Sequence, residues 1–595
     1  MANYCKNIFE FIEQRKVAYK LPISLNASWE WSMADHLLLS ELYTNGQLKA
    51  GKDDWTPVKN ITLPILNLQH RAEDIELKDV QIYIDSGEKY HLSMLVKKYH
   101  DDVFVKENDL DTYFDELNVS RIDLGGGLSK KLFKARPEVV PLPSIVFCNQ
   151  KDLLSSPFGI EHDFSPDQLI KMVDKGWGSE ANGATHTVEE LITMWREQEK
   201  EEEALKIYEV HGTMPAMFAR SDAGEYDYET RIFIVSFIQP KDSMEKKGVI
   251  LYTAEENISE TFKMVKRDPI FGRALGRGGA EELFEPQVWT TYDMIRKQKM
   301  LDAAAVTILQ SDDPTVRARN PKGLKGMKNL EIIDVAPNAN VRQIDTFPRN
   351  MQLLDKSVND WEIHAQNLGG AQDPLMGKEP SAGTPFASVE AQIQQGMGLH
   401  DYRRGQFAKH IEEIYNDWII PHIQKEITKG FKFLSELSLE EINYVVDRMS
   451  VVEWNKYYVE KVLNGEDFDE GEQEMWIQQF KEDFKKKGNK HFLEALRNEF
   501  KDTMLGVKVS VAGKSKNLGA MTDKIVNLMR FAFSNPQGFA QIMQIPGMAK
   551  GWNEIIEFSG MTPMDFQGIE KMAQQQPMQP QEQTQSQLPA QPVAA

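Results

Sequence analysis

The sequence predicts an α+β chain, on three observations. Val80, Ile82 and Ile84 alternate with Gln81, Tyr83 and Asp85, the period-two pattern of a half-buried strand. Three more strand-like runs, Ile207 to Val210, Arg231 to Ile238 and Val249 to Tyr252, follow two short helical stretches. Against these, Met351, Leu354, Val358, Trp361, Ala365 and Leu368 recur three and four residues apart, which is a helical packing stripe. With 595 residues, 41% apolar and 10% aromatic, the chain can bury cores in roughly four units of ~150 residues.

Taken in order, the chain opens on helical spacing: Ile8, Phe11, Ile12 and Ala18, then Ala34, Leu37, Leu38 and Leu42. From Pro57 the texture changes, and Asn60 to Leu66 is an apolar stretch interrupted by Pro64. After the strand at Val80, the residues Leu92, Leu95, Val96 and Tyr99 predict a helix. From Ser120 the chain reads as strands: Ile122-Asp123-Leu124, the glycines Gly125 to Gly127, Val139-Val140 before two prolines, and Ile145-Val146-Phe147. Ser165-Pro166-Asp167 and Thr187-Val188-Glu189-Glu190 are helix starts. The glutamate-rich run from Glu197 to Glu203 reads as a solvated helix face, and the α+β block ends near Asp268.

Long helices follow. Val288, Tyr292 and Ile295 mark one over 284–308; a small mixed segment covers 309–346, and the stripe above occupies 347–368. Segment 369–385, with Gly369, Gly370, Gly377, Gly383, Pro374, Pro380 and Pro385, fits no regular element. Val389, Ile393, Phe407, Ile411, Ile414 and Trp418 then predict a helix over 386–427, ~60 Å long, kinked at Gly396 and Gly398 and bent at Pro421. Amphipathic helices around Leu439 to Met449 and Trp476 to Phe484 come next. A strand at Val507 to Val511, a helix from Met521 to Phe533 and a last helical unit ending near Met572 complete the ordered part. The Gln/Pro-rich tail 574–595 is expected to be disordered.

The chain carries a net charge of −21, so a nucleic-acid coat protein is not expected, although a protein past which DNA slides is compatible. Its two cysteines, Cys5 and Cys148, provide neither a disulfide framework nor a thiolate cluster, as in a reducing compartment. No apolar run reaches membrane length and no signal-peptide core opens the chain, so export and membrane integration are not expected.

Sites of chemistry are scarce. Gly506 to Ser515 resembles a phosphate loop, but six residues stand where that loop has four, and its valines alternate as in a strand. Gly272 to Gly279, with Arg273 and Arg277, reads as a flexible connector or, alternatively, as a phosphate cradle or a contact of its arginines with DNA or a partner. The 12 histidines are dispersed; His400 and His410, on the long helix, read as surface residues. The acids from Glu466 to Glu474 lack calcium-loop spacing. No catalytic residue, metal-ligand set or cofactor site is predicted, which favours an assembly role. One inversion of charge stands out: between Thr315 and Leu330, Arg317, Arg319, Lys322, Lys325 and Lys328 occur without an acid. That cluster is either a solvated loop or a dock for an acidic partner or DNA phosphates.

The order of these parts resembles that of tailed-bacteriophage portal proteins, with the flavour of the crAss-like phage group. The resemblance rests on Asp268-Pro269-Ile270-Phe271-Gly272-Arg273, on Glu281 to Gln287 leading into the helix, and on the block from Ile122 to Ile170 with its Ser165-Pro166-Asp167-Gln168-Leu169 helix start. It implies N-terminal helices and a wing over 1–283, a first stem helix at 284–308, a clip at 309–346 and a second stem helix at 347–368. A tunnel loop at 369–385, a long helix at 386–427, a wing return at 428–515 and a crown-like part at 516–573 follow before the tail.

For function, the resemblance implies a homo-oligomeric ring of about twelve subunits at one capsid vertex of the virion, assembled in the host cytoplasm. It would contact the major capsid protein, terminase and head–tail adaptors and let double-stranded DNA through. It would be no enzyme and use no cofactor. Gly369, Gly370, Lys378 and Gly383 would belong to the tunnel loop, with Lys378 a modest phosphate contact. Arg317, Arg319, Lys322, Lys325 and Lys328 would meet adaptor or terminase, and Leu354, Val358 and Trp361 would pack between subunits. The alternatives are a nucleotide-dependent enzyme using Gly272 to Gly279, which needs a preceding strand that 262–270 predict poorly, or another head–tail ring or scaffold.

Overall fold

The computed structural model describes residues 7–26, 29–46, 58–84, 90–155, 157–197, 204–224, 226–239, 247–304, 308–319, 335–344, 351–378, 386–429, 439–465, 470–487 and 505–509, with isolated helical positions at 494, 496–498, 500 and 530. The chain divides into a large unit, Met1–Asp85 with Lys89–Val511, and a second, Ser86–Glu88 with Ala512–Ala595. In the second unit only Arg530, in a helical conformation, is described. Apart from Arg530, the expected helix at 521–533 lies outside the described residues, as do the helical unit before Met572, the tail and the 198–203 glutamates.

Helices begin where a side chain can accept an otherwise orphaned N–H. Asn7 Oδ1 accepts from Glu10 (2.9 Å) at the head of α1 (Ile8–Tyr19). A two-stranded ribbon, β1 (Ile23–Asn26) with β2 (Trp29–Trp31), leads to Ser32, which caps α2 (Met33–Thr44). The interrupted stretch at Asn60 to Leu66 starts a helix instead, α3 (Thr62–Ala72). Pro64 falls in its first turn, where no intrahelical N–H is needed, and Asn60 Oδ1 accepts from Thr62 and Leu63 (3.1 and 3.0 Å). β3 (Val80–Ile84) and α4 (Tyr90–Tyr99) form where the periodicity puts them.

The strand expected at Ile122-Asp123-Leu124 is the last turn of α5 (Leu110–Leu124). Leu110, Phe114, Leu117 and Arg121 are buried at helical spacing, so packing carries the helix on until Gly125, at φ +83°, ends it. Strands begin only there: β4 (Gly126–Lys131), β5 (Pro137–Val140), β6 (Ile145–Phe147) and β7 (Phe158–Phe164). Two helices with capping boxes, α6 (Pro166–Met172) and α7 (Val188–Arg196), precede β8 (Leu205–Pro215), β9 (Tyr228–Ile238), β10 (Lys247–Glu255) and β11 (Phe262–Lys266).

These strands make a five-stranded antiparallel sheet in the order β10-β9-β8-β7-β6 and a three-stranded one, β11-β4-β5. One core packs Leu169 of α6 and Val188, Leu191 and Ile192 of α7 on Ile207, Ile234 and Val249 of the larger sheet. Another joins Ile8, Phe11 and Ile12 of α1 and Leu37 of α2 to Phe147, Phe158, Val210 and Phe233. The chain is therefore α+β, with helices covering a largely antiparallel sheet.

A short turn, α8 (Gly279–Glu282), leads into α9 (Phe284–Ala304), which packs along α10 (Met351–Leu368). Between the two lie β12 (Ile308–Ser311) and β13 (Val341–Ile344), paired antiparallel. The long helix is α11 (Phe386–Ile414) followed, after a π-helical turn at Tyr415–Ile419, by α12 (Ile420–Lys429). Gly396 and Gly398 cause no break. Gly396 is instead the place where Leu375 approaches, since a Cβ there would sit 2.8 Å from its Cδ1. The irregularity is the widened turn just before Pro421, whose missing N–H and ring disfavour a regular ladder. Finally α13 (Leu439–Asn464) and α14 (Glu470–Lys487) pack together, and β14 (Leu505–Val509) returns to pair with β3.

Candidate functional site

The helix pair α9–α10 is held by matched side chains. Trp289 and Trp361 stack with planes 11° apart and centroids at 6.2 Å; Ser357 donates to Asp293 (2.6 Å), and Lys297 pairs with Asp355 (2.6 Å). Val358 and Ala365 are buried, while Leu354 and Trp361 are half-buried. Trp289, Tyr292, Leu301, Leu353, Ile363 and Leu368 stay exposed, so the pair presents more apolar surface than its own packing uses. Its root is fixed by Gln287, whose side chain accepts from the Ile61 N–H (2.9 Å) and donates to the Lys59 carbonyl (2.9 Å).

At the other end, beyond the helices, Asp313 organises the chain beside β12. It accepts from the Thr315 N–H (2.7 Å) and the Ala336 N–H (2.8 Å), and Arg319 lies 3.5 Å from it. The cation cluster is thus not without acid: Asp313 stands two residues before the window in which none was found. Arg317 sits on the short helix Val316–Arg319. Lys322, Lys325 and Lys328 lie outside the described residues.

Beneath the root of α9 is a buried charge network that periodicity did not reveal. Glu73, fully buried after α3, meets Arg121 of α5 (2.9 Å), Arg267 after β11 (3.1 Å) and His400 Nδ1 of α11 (3.2 Å). Arg403 of α11 reaches Glu282 of α8 (3.0 Å) and also pairs with Asp268. Burial alone would raise the Glu73 carboxyl; the Arg121 charge, the His400 hydrogen bond and Arg267 outweigh it and hold the carboxyl well below its usual range. Three arginines and three acids so pin α3, α5, α8, α11 and the end of β11 together.

The Gly272–Gly279 segment packs on this network and is no flexible connector. N–H groups of Arg273, Ala274, Gly276 and Arg277 donate to the carbonyls of Ile270, Gln150, Gly125 and Asp268 (2.8–3.2 Å). Arg273 is buried on Glu281 (2.8 Å) and against the Trp31 ring, while Arg277 is exposed. β11 does precede the segment, against the sequence expectation: the ladder with β4, from Phe262 opposite Lys130 to Lys266 opposite Gly126, supplies what weak alternation hid. The four occupied N–H groups are not free to hold a phosphate.

The glycine-rich segment starts inside this interior. Gln69 donates to the Gly369 carbonyl (3.1 Å), and His400 Nε2 lies 3.3 Å from that of Gly370, whose φ is +67°. Further on, Lys378 is exposed and pairs with Asp373 (2.8 Å). Gly383 lies outside the described residues. His400 and His410, expected on the surface, are buried, because their face of α11 packs on α3 and β11.

A second polar cluster sits in the larger sheet. His211 of β8 is buried between Glu256 (2.7 Å) and Glu209 (3.3 Å), and Glu209 also meets Lys130 (2.5 Å). Burial acts to lower the His211 value; Glu209 and then Glu256 outweigh it, so the imidazole titrates above its ordinary range. A raised value stabilises below the unfolded-state value and is lost as pH rises through the folded one. Thermal midpoints should therefore fall on alkaline titration just above the ordinary histidine range, and His211→Gln should flatten that part of the curve. Parallel curves for the two proteins would rule out this role for His211.

Among the described residues, no helix is long and apolar enough to cross a membrane, and no group of three or more His, Cys, Asp or Glu is placed to hold a metal ion. No protein-family model matches the chain, and no curated protein matches it.

Proposed function

We propose that this chain is a portal-type head–tail connector: a homo-oligomeric ring at one vertex of a phage capsid, and the conduit for DNA packaging and ejection. The observation that carries the reading is the order of parts around α9 and α10. Two antiparallel helices, bridged by a small two-stranded sheet and rooted on an α+β block, are followed by a glycine-rich turn and a long helix. In this reading they are the stem, clip, wing, tunnel loop and long helix. The exposed apolar residues of α9 and α10 would be covered by neighbouring subunits. The chain would bind the capsid protein, terminase and adaptors and perform no chemistry itself. A charge of −21 suits a channel wall that repels phosphates. The nucleotide-enzyme alternative gains β11 ahead of the glycine segment but finds four of its N–H groups, those of Arg273, Ala274, Gly276 and Arg277, occupied.

In this reading Gly369 and Gly370 anchor the tunnel loop and the residues after them approach the DNA. With Lys378 already paired to Asp373, contact would be steric with little electrostatic grip. Deleting Gln372 to Ala382 should leave rings intact yet impair retention of packaged DNA. Rings that package and retain DNA like wild type would leave the segment a mere connector.

A further inference from the structure

The hairpin β4–β5 turns through Leu132-Phe133-Lys134-Ala135-Arg136, closed by the Leu132 N–H donating to the Arg136 carbonyl (2.8 Å). Lys134 and Ala135 both adopt left-handed backbone (φ +60° and +58°), which Asn or Gly enters at little cost and Lys and Ala do not. The turn alone therefore does not account for a lysine there, and such outliers tend to persist where function holds them. Phe133, beside it, is 87% exposed, so its ring gains almost nothing from folding.

Lys131, Lys134 and Arg136 flank Phe133, and among the described residues none of the three forms an ion pair. Other cations of the same small sheet are committed: Lys130 pairs with Glu209 (2.5 Å), Lys263 with Asp417 (2.5 Å), and Lys266 donates to the Arg273 carbonyl (3.1 Å). Glu138, the one acid of the two hairpin strands, stands opposite Lys130 in the ladder, whereas Lys131 stands opposite Pro137. α12 feels the same charges. Its His422 is held below the ordinary range by burial first, with Lys429, Lys134 and Lys131 adding to the shift against Glu426, which itself pairs with Lys429 (3.2 Å). In a chain of net charge −21 the tip is thus a local inversion of sign around an exposed ring.

A protein partner would have to bring an apolar slot and several acids to matched positions. A nucleic-acid strand brings both at every nucleotide, a flat base beside a phosphate. In a duplex the base faces are covered by their neighbours, and a ring reaches them only by prising a step apart. A single strand offers them freely. We infer that the β4–β5 tip binds single-stranded nucleic acid, Phe133 stacking on a base while Lys131, Lys134 and Arg136 meet the flanking phosphates. No base is read, because every base has a face to stack on, so DNA and RNA both qualify. The site shares no residue with the tunnel-loop segment of the ring reading and stands whether or not the chain forms rings.

Fluorescence anisotropy of the full-length protein tests it, with labelled oligo-dT, oligo-U and a DNA duplex of the same length, each titrated at several salt concentrations. Wild type should bind both single strands more tightly than the duplex. Phe133→Ala should weaken single-strand binding roughly tenfold without changing its salt dependence, and Phe133→Trp should restore it. A variant with Lys134→Asn and Arg136→Gln keeps a residue suited to the left-handed turn and removes two cations. Its plot of log K against log salt should be shallower by about 1.4, at roughly 0.7 per phosphate contact. All three side chains are exposed, so circular dichroism should match wild type. Binding that survives Phe133→Ala undiminished overturns the proposal, since the cations alone would then make only non-specific phosphate contact. A preference for the duplex, or a wild type that binds no oligonucleotide even at low salt, overturns it as well. Capture of phosphatidylserine vesicles or of poly-glutamate in place of the oligonucleotides does the same and reassigns the tip to an anionic membrane or an acidic protein.

Discussion

Trp361→Asp should abolish ring assembly while leaving the subunit folded. Trp361 is half-buried on α10, with its ring parallel to that of Trp289 on α9, amid the exposed Tyr292, Leu353 and Ile363. The aromatic pair is worth about 0.5–1.5 kcal/mol beyond its area. The larger loss comes from the carboxylate, which must give up its water each time a neighbour closes over it, at several kcal/mol. That cost recurs at every junction, so closed rings should vanish rather than decline in proportion. Trp361→Phe keeps an apolar ring at the site and should assemble. Mass photometry of the two variants beside wild type separates the cases; Trp361→Asp rings at wild-type yield would remove α9 and α10 from the subunit interface.

Glu73→Gln should destabilise the large unit by about 3–5 kcal/mol, the usual result of removing one member of a buried ion pair. Arg121 would keep its charge with no carboxylate beside it, and Arg267 only its longer contact to Glu282 (3.7 Å); both are essentially fully buried. The glutamine retains the shape of the glutamate, so the loss would be electrostatic and not a cavity effect. Because the Glu73 carboxyl is held below its usual range, its contribution is present above the unfolded-state value and is lost as pH falls through the folded one. Urea midpoints measured near neutrality should differ widely between wild type and variant, and the gap should narrow in strong acid. A neutral-pH difference below about 1 kcal/mol would mean that the arginines find other acceptors without Glu73.

The features legible in the sequence were those with a local cause. The α10 stripe, the strands β8 to β10 and the starts of α6 and α7 depend on side chains a few residues apart, and all formed where expected. The end of α5 was misread because its last turn, Ile122-Asp123-Leu124, resembles a strand in isolation; the buried stripe that makes it helical begins at Leu110. Buried charge was invisible for a related reason. His400 meets Glu73 across 327 residues of chain, and neither position looks unusual among its sequence neighbours. Arg121 gave one usable signal: it stands at helical spacing from Phe114 and Leu117, on the apolar face, where an unpaired cation would be costly. The glycines between 272 and 279 suggested freedom of motion. Instead they permit close backbone contact, since a Cβ on Gly276 would overlap the Arg267 carbonyl.

The central claim is that this chain assembles into a ring with an open centre, and electron microscopy of the purified full-length protein tests it most directly. The account predicts end-on views of closed rings with a central hole and a single subunit number, and side views with a narrow projection formed by α9, α10 and the β12–β13 segment. Fields of particles no larger than a tetramer, without a central hole at any protein concentration, would contradict it.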